Sequence, residues 1–332
     1  MDDFAEVLSS VRSRTYPYKV RPKQKRNWAL YDEAQEHEYP DVLGLTRDVV
    51  DEAANSYRLV RHDATGKSGY SADDIAKMLL AQQYEGRSDR VTMGYLSLVG
   101  RYLGIHNYTG YKTLENAYSD YGVMAILNDA FFITQQPVIM AEHEFGIDGT
   151  CFSTTIKAHW ESAKDQILGG KGKQFEKAVL AAGTTFKIIP AVTHSPTSNE
   201  SPYLRPLFNQ ILYLYKMVKL MTADAGYISR ENCDVIGSAD AIPRIFPKKN
   251  VSYWGPWREM TYEFIYDTPK WLEQYHMRSV IETVNSTLKR TMPSPIKKKL
   301  VVRKATEIAA RICVYNLRQL VYLKYTRGID PS

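Results

Sequence analysis

The chain is expected to fold as an α/β protein, with a mixed sheet covered by helices and a small helical region before it. Three observations lead there. From about residue 141, short apolar runs first follow one another as hairpin candidates and then alternate with helical segments, the order that builds a mixed sheet. Before that point the periodic stretches read as helices. The bulk numbers permit it: 332 residues, 44% hydrophobic and 24% charged, enough to bury a sizeable core in one large domain plus a smaller one.

Taken in order, residues 1–66 read as a basic N-terminal arm followed by a short helical stretch around Trp28 to His37. The polar segment Asp63 to Gly69 is a plausible linker. Residues 67–140 read as helical. Ser71 with Asp74 resembles a capping box opening a helix through roughly Gln83, with Ile75, Met78, Leu79 and Leu80 apolar. Gly86-Arg87 breaks that helix, and a second follows from about Ser88 to Leu103. Two short helices joined by a glycine-containing turn form either a helix-turn-helix, whose second helix enters a DNA groove, or a small bundle without base contacts.

Residues 141–330 carry the strand candidates: Phe145 to Asp148, with Cys151 to Lys157 as a hairpin return, then Phe186 to Val192, Val218 to Ala223 and Ile242 to Phe246. Met260 to Tyr266 alternates apolar and polar residues as an edge strand would. Helices are expected over 206–217 and from Ser229 to Gly237.

No apolar run approaches membrane-span length, and the start of the chain lacks the apolar core of a signal peptide, so a cytoplasmic protein is expected. Cys151, Cys233 and Cys313 match neither a disulfide framework nor zinc-ligand spacing. The seven histidines form no i,i+4 pair, and His143 reads as structural or surface. Gly169 to Lys173 lacks the spacing of a nucleotide-binding loop, so no nucleotide cofactor is expected. The net charge of +6 is unevenly spread. Residues 12–26 and 285–304 each hold seven Lys or Arg and no acid, blocks that attract polyanions, although the first could be a solubilising tail.

Tyr275, Arg278, Glu282 and Lys289 recur at spacings of 3, 4 and 7. On a helix opened by Thr268 and Pro269 and stopped by Pro293, they fall within roughly 60° of arc. One carboxylate, two cations and a phenol on one stripe suit a metal ion together with a phosphate, whereas the plainer reading is a solvated face with i,i+4 pairing. Upstream, Asp148 and Asp224 each follow an apolar run and precede a nearby glycine, which lets a ligand approach the backbone. An Asp-Gly pair alone is a common turn. With Glu282, these aspartates could converge on two magnesium ions roughly 4 Å apart.

These three motifs together resemble the DDE transposases of the bacterial and archaeal insertion-sequence type. The Tyr-Arg-Glu-Lys spacing matches in full at Tyr275, Arg278, Glu282 and Lys289. Ile147-Asp148-Gly149-Thr150 and Ala223-Asp224-Ala225-Gly226-Tyr227 are similar to the family's first and second acidic motifs. The resemblance spans roughly residues 141 to 325 and implies an RNase H-like five-stranded mixed sheet flanked by helices, with Asp148, Asp224 and Glu282 as catalytic metal ligands. It further implies Mg2+ as cofactor (two ions, with Mn2+ able to substitute), cleavage at element ends, and transfer of the freed 3′-hydroxyl to target DNA. Tyr275, Arg278 and Lys289, with Lys248 and Lys249, would lie along the DNA. The expected partners are duplex DNA, as terminal inverted repeats and target, and a second copy of the chain, with no membrane and association with the nucleoid. A structure-selective nuclease without strand transfer and a domesticated DNA-binding protein are the rival readings. Two departures stand out. The interval between Asp224 and Glu282 is too short for the β-rich insertion of some relatives. Asn199-Glu200-Ser201 stands where relatives often carry Asp-Ser. Trp254 and Trp257 could stack on a flipped base or simply pack in a turn.

Overall fold

The computed structural model describes residues 2–18, 25–60, 70–105, 108–154, 175–195, 199–248, 257–292 and 295–331. Its sheet has five strands in the order β3-β2-β1-β4-β5. They are β1 (Glu144–Ser153), β2 (Phe175–Gly183), β3 (Ala191–Ser195), β4 (Leu220–Ala223) and β5 (Ile242–Ile245). β1, β4 and β5 are parallel neighbours. Thr184 N–H donates to Glu144 O, which sets the end of β2 beside the start of β1, so those two run antiparallel. The sheet is therefore mixed and flanked by helices, consistent with an RNase H-like architecture.

Twelve α-helices lie among the described residues: α1 (Asp2–Arg12), α2 (Trp28–Val60), α3 (Ala72–Glu85), α4 (Asp89–Val99), α5 (Tyr111–Ala117), α6 (Tyr121–Ile133), α7 (Leu204–Leu214), α8 (Arg230–Gly237), α9 (Trp257–Tyr266), α10 (Thr268–His276), α11 (Ser279–Thr291) and α12 (Val301–Arg327). Their starts follow the capping chemistry. Ser71 accepts from Asp74 N–H, Asp120 from Val123 N–H, Ser229 from Asn232 N–H and Asp267 from Lys270 N–H. Gly86 and Gly328 close α3 and α12 in the left-handed region at φ 63° and 64°. No described helix is long and apolar enough to cross a membrane.

The chain divides into two compact units. The first comprises Met1–Lys25, Val138–Thr150 and Val179–Asn285. Its core sets Phe145, Ile147, Met221, Ala223 and Ile245 of the sheet against Leu204, Leu207, Phe208 and Ile211, which repeat along one face of α7. A second cluster joins Phe4 and Leu8 of α1 to Phe264, Trp271 and Leu272. The acidic-then-basic start of the chain is thus a docked helix, and Arg12 donates to Pro247 O.

The second unit comprises Arg26–Pro137, Cys151–Ala178 and Ser286–Ser332. In it α12 packs on α2, α3 and α6. A buried Arg311–Glu307 ion pair at 2.8 Å sits within this bundle. Glu307 also accepts from the N–H groups of Lys297 and Lys298, and Arg311 Nε donates to Gln83 Oε1.

Several elements differ from the sequence reading, each for a local reason. The stretch at Trp28 to His37 runs on to Val60, straight through Pro40. Proline removes one backbone hydrogen bond, but the buried stripe of Val42, Leu43, Thr46, Val49, Val50 and Ala53 outweighs that cost. Met260 to Tyr266 is helix α9 rather than an edge strand, because its buried residues are Met260, Thr261 and Phe264, a helical spacing. β1 continues past Asp148 to Ser153, and its partner is β2, whose alanine-rich run gave little strand signal. Residues 155–157 of the expected return lie outside the described residues. At Phe186 to Val192 the chain turns first. The Glu142 carboxylate accepts from the N–H groups of Thr185 and Phe186, Lys187 adopts φ 62°, and β3 begins only at Ala191.

Candidate active site

The site begins with strand register. Gly146 pairs with Thr222 and Ile147 with Ala223. One residue further come Asp148, which continues β1, and Asp224, which follows the last residue of β4, so both aspartates lie toward the same end of adjacent parallel strands. Gly146 lets α11 approach this edge, since a β-carbon there would come within 3.1 Å of Thr222 Oγ1 and 3.3 Å of Ile281 Cγ2. Ile281, Val284 and Leu288 bury the inner face of α11. Asn285 shares that side and donates from Nδ2 to Asp148 Oδ2 at 3.0 Å.

Tyr275, Arg278 and Glu282 do not share one continuous helix. The chain breaks at Met277-Arg278, so Tyr275 lies in the last turn of α10, Arg278 lies in the turn and Glu282 falls in the first turn of α11. Asp267 rather than Thr268 caps α10. Arg278 Nη2 pairs with Glu282 Oε1 at 2.6 Å, and its guanidinium lies 5.8 Å from the Tyr275 ring centre. Burial alone would lower the Arg278 pKa, but Tyr275, Glu282, Asp224 and Asp148 together raise it. One guanidinium therefore feels all three sequence-predicted acids. Tyr275 stacks on Trp271 with ring centres 5.1 Å apart, and burial raises its phenol.

Asp148 is raised above the ordinary carboxylate range, first by burial and then by the nearby charge of Glu200. Glu200 belongs to the site although its role was open in the sequence. Its carboxylate lies against Gly149, where a β-carbon would meet Oε1 at 2.1 Å. Tyr227 donates to Glu200 Oε2 at 2.8 Å, and burial together with Glu200, Asp148 and Asp224 raises that phenol. Asn232 Nδ2 in turn holds Tyr227 O at 2.7 Å and Ser201 Oγ at 3.1 Å. Asn285 was missed altogether; its place one turn beyond Glu282 was the available signal.

Among the described residues, no group of three or more His, Cys, Asp or Glu side chains gathers closely enough to hold a metal ion. The three acids are linked through Arg278 instead. Their chemistry nonetheless suits a hard divalent cation. Burial disfavours the charged form of the Asp148 carboxyl, and Asn285 Oδ1 beside it is buried with no hydrogen-bond partner among the described residues. A half-buried carboxyl group next to an orphaned acceptor is a demand for positive charge.

The remaining candidates divide. Lys289 is exposed on α11 and Lys248 is half-buried after β5, whereas Lys249 and Trp254 lie outside the described residues. Trp257 packs against the sheet core with Arg230 over its ring, which favours the packed turn over base stacking. Much of the basic block at 285–304 is engaged internally. Lys297 donates to Gly86 O, Lys298 to Asp89, Arg303 to Asn116, and Lys304 pairs with Glu176. His143 is half-buried and Nδ1 lies 3.2 Å from Met217 O; Cys151 is exposed, and Cys233 and Cys313 are buried free thiols.

Residues 144–317 match the family model described as Transposase DDE domain. The chain is also similar to a protein of Archaeoglobus fulgidus described as "Probable transposase for insertion sequence element ISA1214". The two are 22% identical over 291 residues, covering 87% of this chain and 84% of that one.

Proposed function

Given that this chain belongs to the Transposase DDE domain family, a membership that implies DNA binding, we propose that it cleaves phosphodiester bonds at element ends and joins the freed 3′-hydroxyl to target DNA. The observation that carries the reading is α11, which bears Glu282 in its first turn and reaches Asp148 through the 3.0 Å hydrogen bond from Asn285. Asp148 and Glu282, distant in sequence, are linked through α11 and Arg278, and we read them with Asp224 as acting on one phosphate.

The proposed roles follow from the surroundings. Asp148, Asp224 and Glu282 would hold Mg2+, with Mn2+ able to replace it. When bound, the ions supply charge that activates the attacking oxygen and stabilises the departing one. Asn285 orients Asp148 through its 3.0 Å hydrogen bond. Arg278 offsets repulsion among the carboxylates, and its charge suits a phosphate oxygen once Glu282 is released from it. Tyr275, clamped by Trp271, fixes the ring against which Arg278 rests. Lys289 and Lys248 would contact the DNA backbone, and a dimer on paired ends fits a reaction needing two of them.

The test is an end-labelled duplex from the DNA flanking the coding region, incubated with Mg2+ and wild type or Glu282→Gln. The expected loss of cleavage is on the order of 10³-fold or more. Cleavage that survives the substitution would remove Glu282 from the chemistry. Pre-cut ends offered with a plasmid target test joining separately; ends that never join leave a nuclease.

A further inference from the structure

One face of α2 carries residues that the helix itself does not favour. Pro40 and Gly44, one turn apart, are the two residue types least suited to a helix interior, and both line a cavity of about 320 Å³ within the helical unit. A β-carbon on Gly44 would find nothing within 4 Å, so packing inside the unit does not call for a glycine there. The volume lies at the lower end of the range for small-molecule sites, about 300–1,000 Å³.

The walls are of two kinds. Leu45, Val49, Ile133 and Val321 supply an aliphatic floor, and Pro137 and Pro331 join Pro40 as rigid rings. Asp41, Asp48 and Glu52 also line the cavity, the last two exposed at its rim. At about 100° per residue these three acids fall within roughly 40° of arc on α2, with Asp48 and Glu52 about 6 Å apart along the axis. Among the described residues, Lys324 of α12 is the one cation in the lining, so three carboxylates face one ammonium in a chain of net charge +6.

Lys324 shows how this lining receives an alkyl ammonium. Its Nζ donates to Asp41 Oδ2 at 2.8 Å, where Tyr325 OH also donates at 2.8 Å. Asp41 is thereby taken. Asp48 meets its neighbour Arg47 at 2.8 Å, an exposed pair that solvent screens, and Glu52 has no ion-pair partner among the described residues. Two carboxylates one turn apart are left at the mouth of an apolar cavity.

The combination is selective. Acids over the opening repel phosphates, carboxylates and nucleic acid. The aliphatic floor offers a hydrated metal ion no oxygen ligands to replace its water. A chain of methylenes bearing ammonium groups satisfies both parts, with its carbons on the floor and its charges on the acids. We infer that this cavity binds a linear alkyl polyamine, with one ammonium on Asp48, a second on Glu52 and the methylenes against Leu45, Val49 and Val321. Two acceptors so close on one helix match charges carried on a single short chain rather than on separate side chains of a folded partner. The site lies wholly within the helical unit and its binding is read without DNA, so it stands or falls apart from the transposase reading.

The experiment titrates the full chain, free of DNA, with putrescine and spermidine by isothermal calorimetry at fixed ionic strength, with butylamine and Mg2+ as controls. Spermidine should bind saturably, at least tenfold more tightly than butylamine, and Mg2+ should not reproduce the binding. Asp48→Asn with Glu52→Gln should weaken it at least tenfold. Gly44→Met fills the cavity with a good helix former and should keep or raise the melting temperature while weakening binding at least tenfold. If Gly44→Met melts lower, the charge pair alone decides, since both side chains are exposed and their replacements are isosteric. A response that never saturates, that Mg2+ reproduces, or that the charge variant retains overturns the proposal. So does a difference in sedimentation between amine-free wild type and Gly44→Met, which would give the cavity to a second copy of the chain.

Discussion

Burial and the neighbouring Glu200 raise the Asp148 carboxyl, while Gly149 N–H, Arg278 and Asn285 pull it back. The folded protein therefore holds that proton more tightly than the unfolded chain does. Between the ordinary carboxylate value and the raised one, the Asp148 contribution to stability falls as pH rises, and the penalty stays in force above that window. Asp148→Asn removes the penalty and can keep the hydrogen bond from Asn285. In metal-free buffer the variant should melt roughly 2–4 °C above wild type at pH 7. The gap should close as the pH approaches the ordinary carboxylate value. A variant that melts lower at pH 7 would contradict the raised value. Added Mg2+ should raise the melting temperature of wild type but not of Asp148→Asn.

At the scale of elements, the site depends on how closely α11 lies over β1. Gly146 sets that spacing, with Thr222 Oγ1 and Ile281 Cγ2 as close as any β-carbon could tolerate. Gly146→Ala should destabilise by about 1–3 kcal/mol, as overpacking does, and shift Asn285 away from Asp148. Gly44 in α2 is the internal comparison, since nothing lies within 4 Å of a β-carbon there. Gly44→Ala should stabilise by about 0.5–1 kcal/mol through helix propensity and a less flexible unfolded chain. Urea unfolding of both variants measures the pair, and equal effects would mean that Gly146 is not a spacer.

For the molecule as a whole, the helical unit is held by a polar centre as well as by apolar packing. Arg311 and Glu307 are both 1% exposed, and Arg311 also donates to Pro295 O at 3.0 Å. Arg311→Met leaves the Glu307 charge buried without its partner and should cost about 3–5 kcal/mol. Arg311→Met with Glu307→Gln should recover part of that loss. Hydrogen exchange across α3 and α12 reads the effect, which should be concentrated there rather than in β4 and β5. Uniform loss of protection through the sheet would make the two units one cooperative block.

The acidic motifs, the end of β4 at Ala223, the capping of α3 and the α/β class were all legible in the sequence. Local chemistry fixes each of them: a glycine beside an aspartate, a serine three residues before an aspartate, a short apolar run. Long-range effects hid the rest. The extension of α2 through Pro40 depends on a buried stripe meeting other helices, and the engagement of Lys297 and Lys298 depends on Gly86 and Asp89, far away in the chain. Only the folded arrangement split the Tyr275-to-Lys289 stretch at Arg278, set Glu200 over Gly149 and aimed Asn285 at Asp148. Spacing along a chain can nominate side chains for a site, whereas distance across it depends on register and packing, which no single segment encodes.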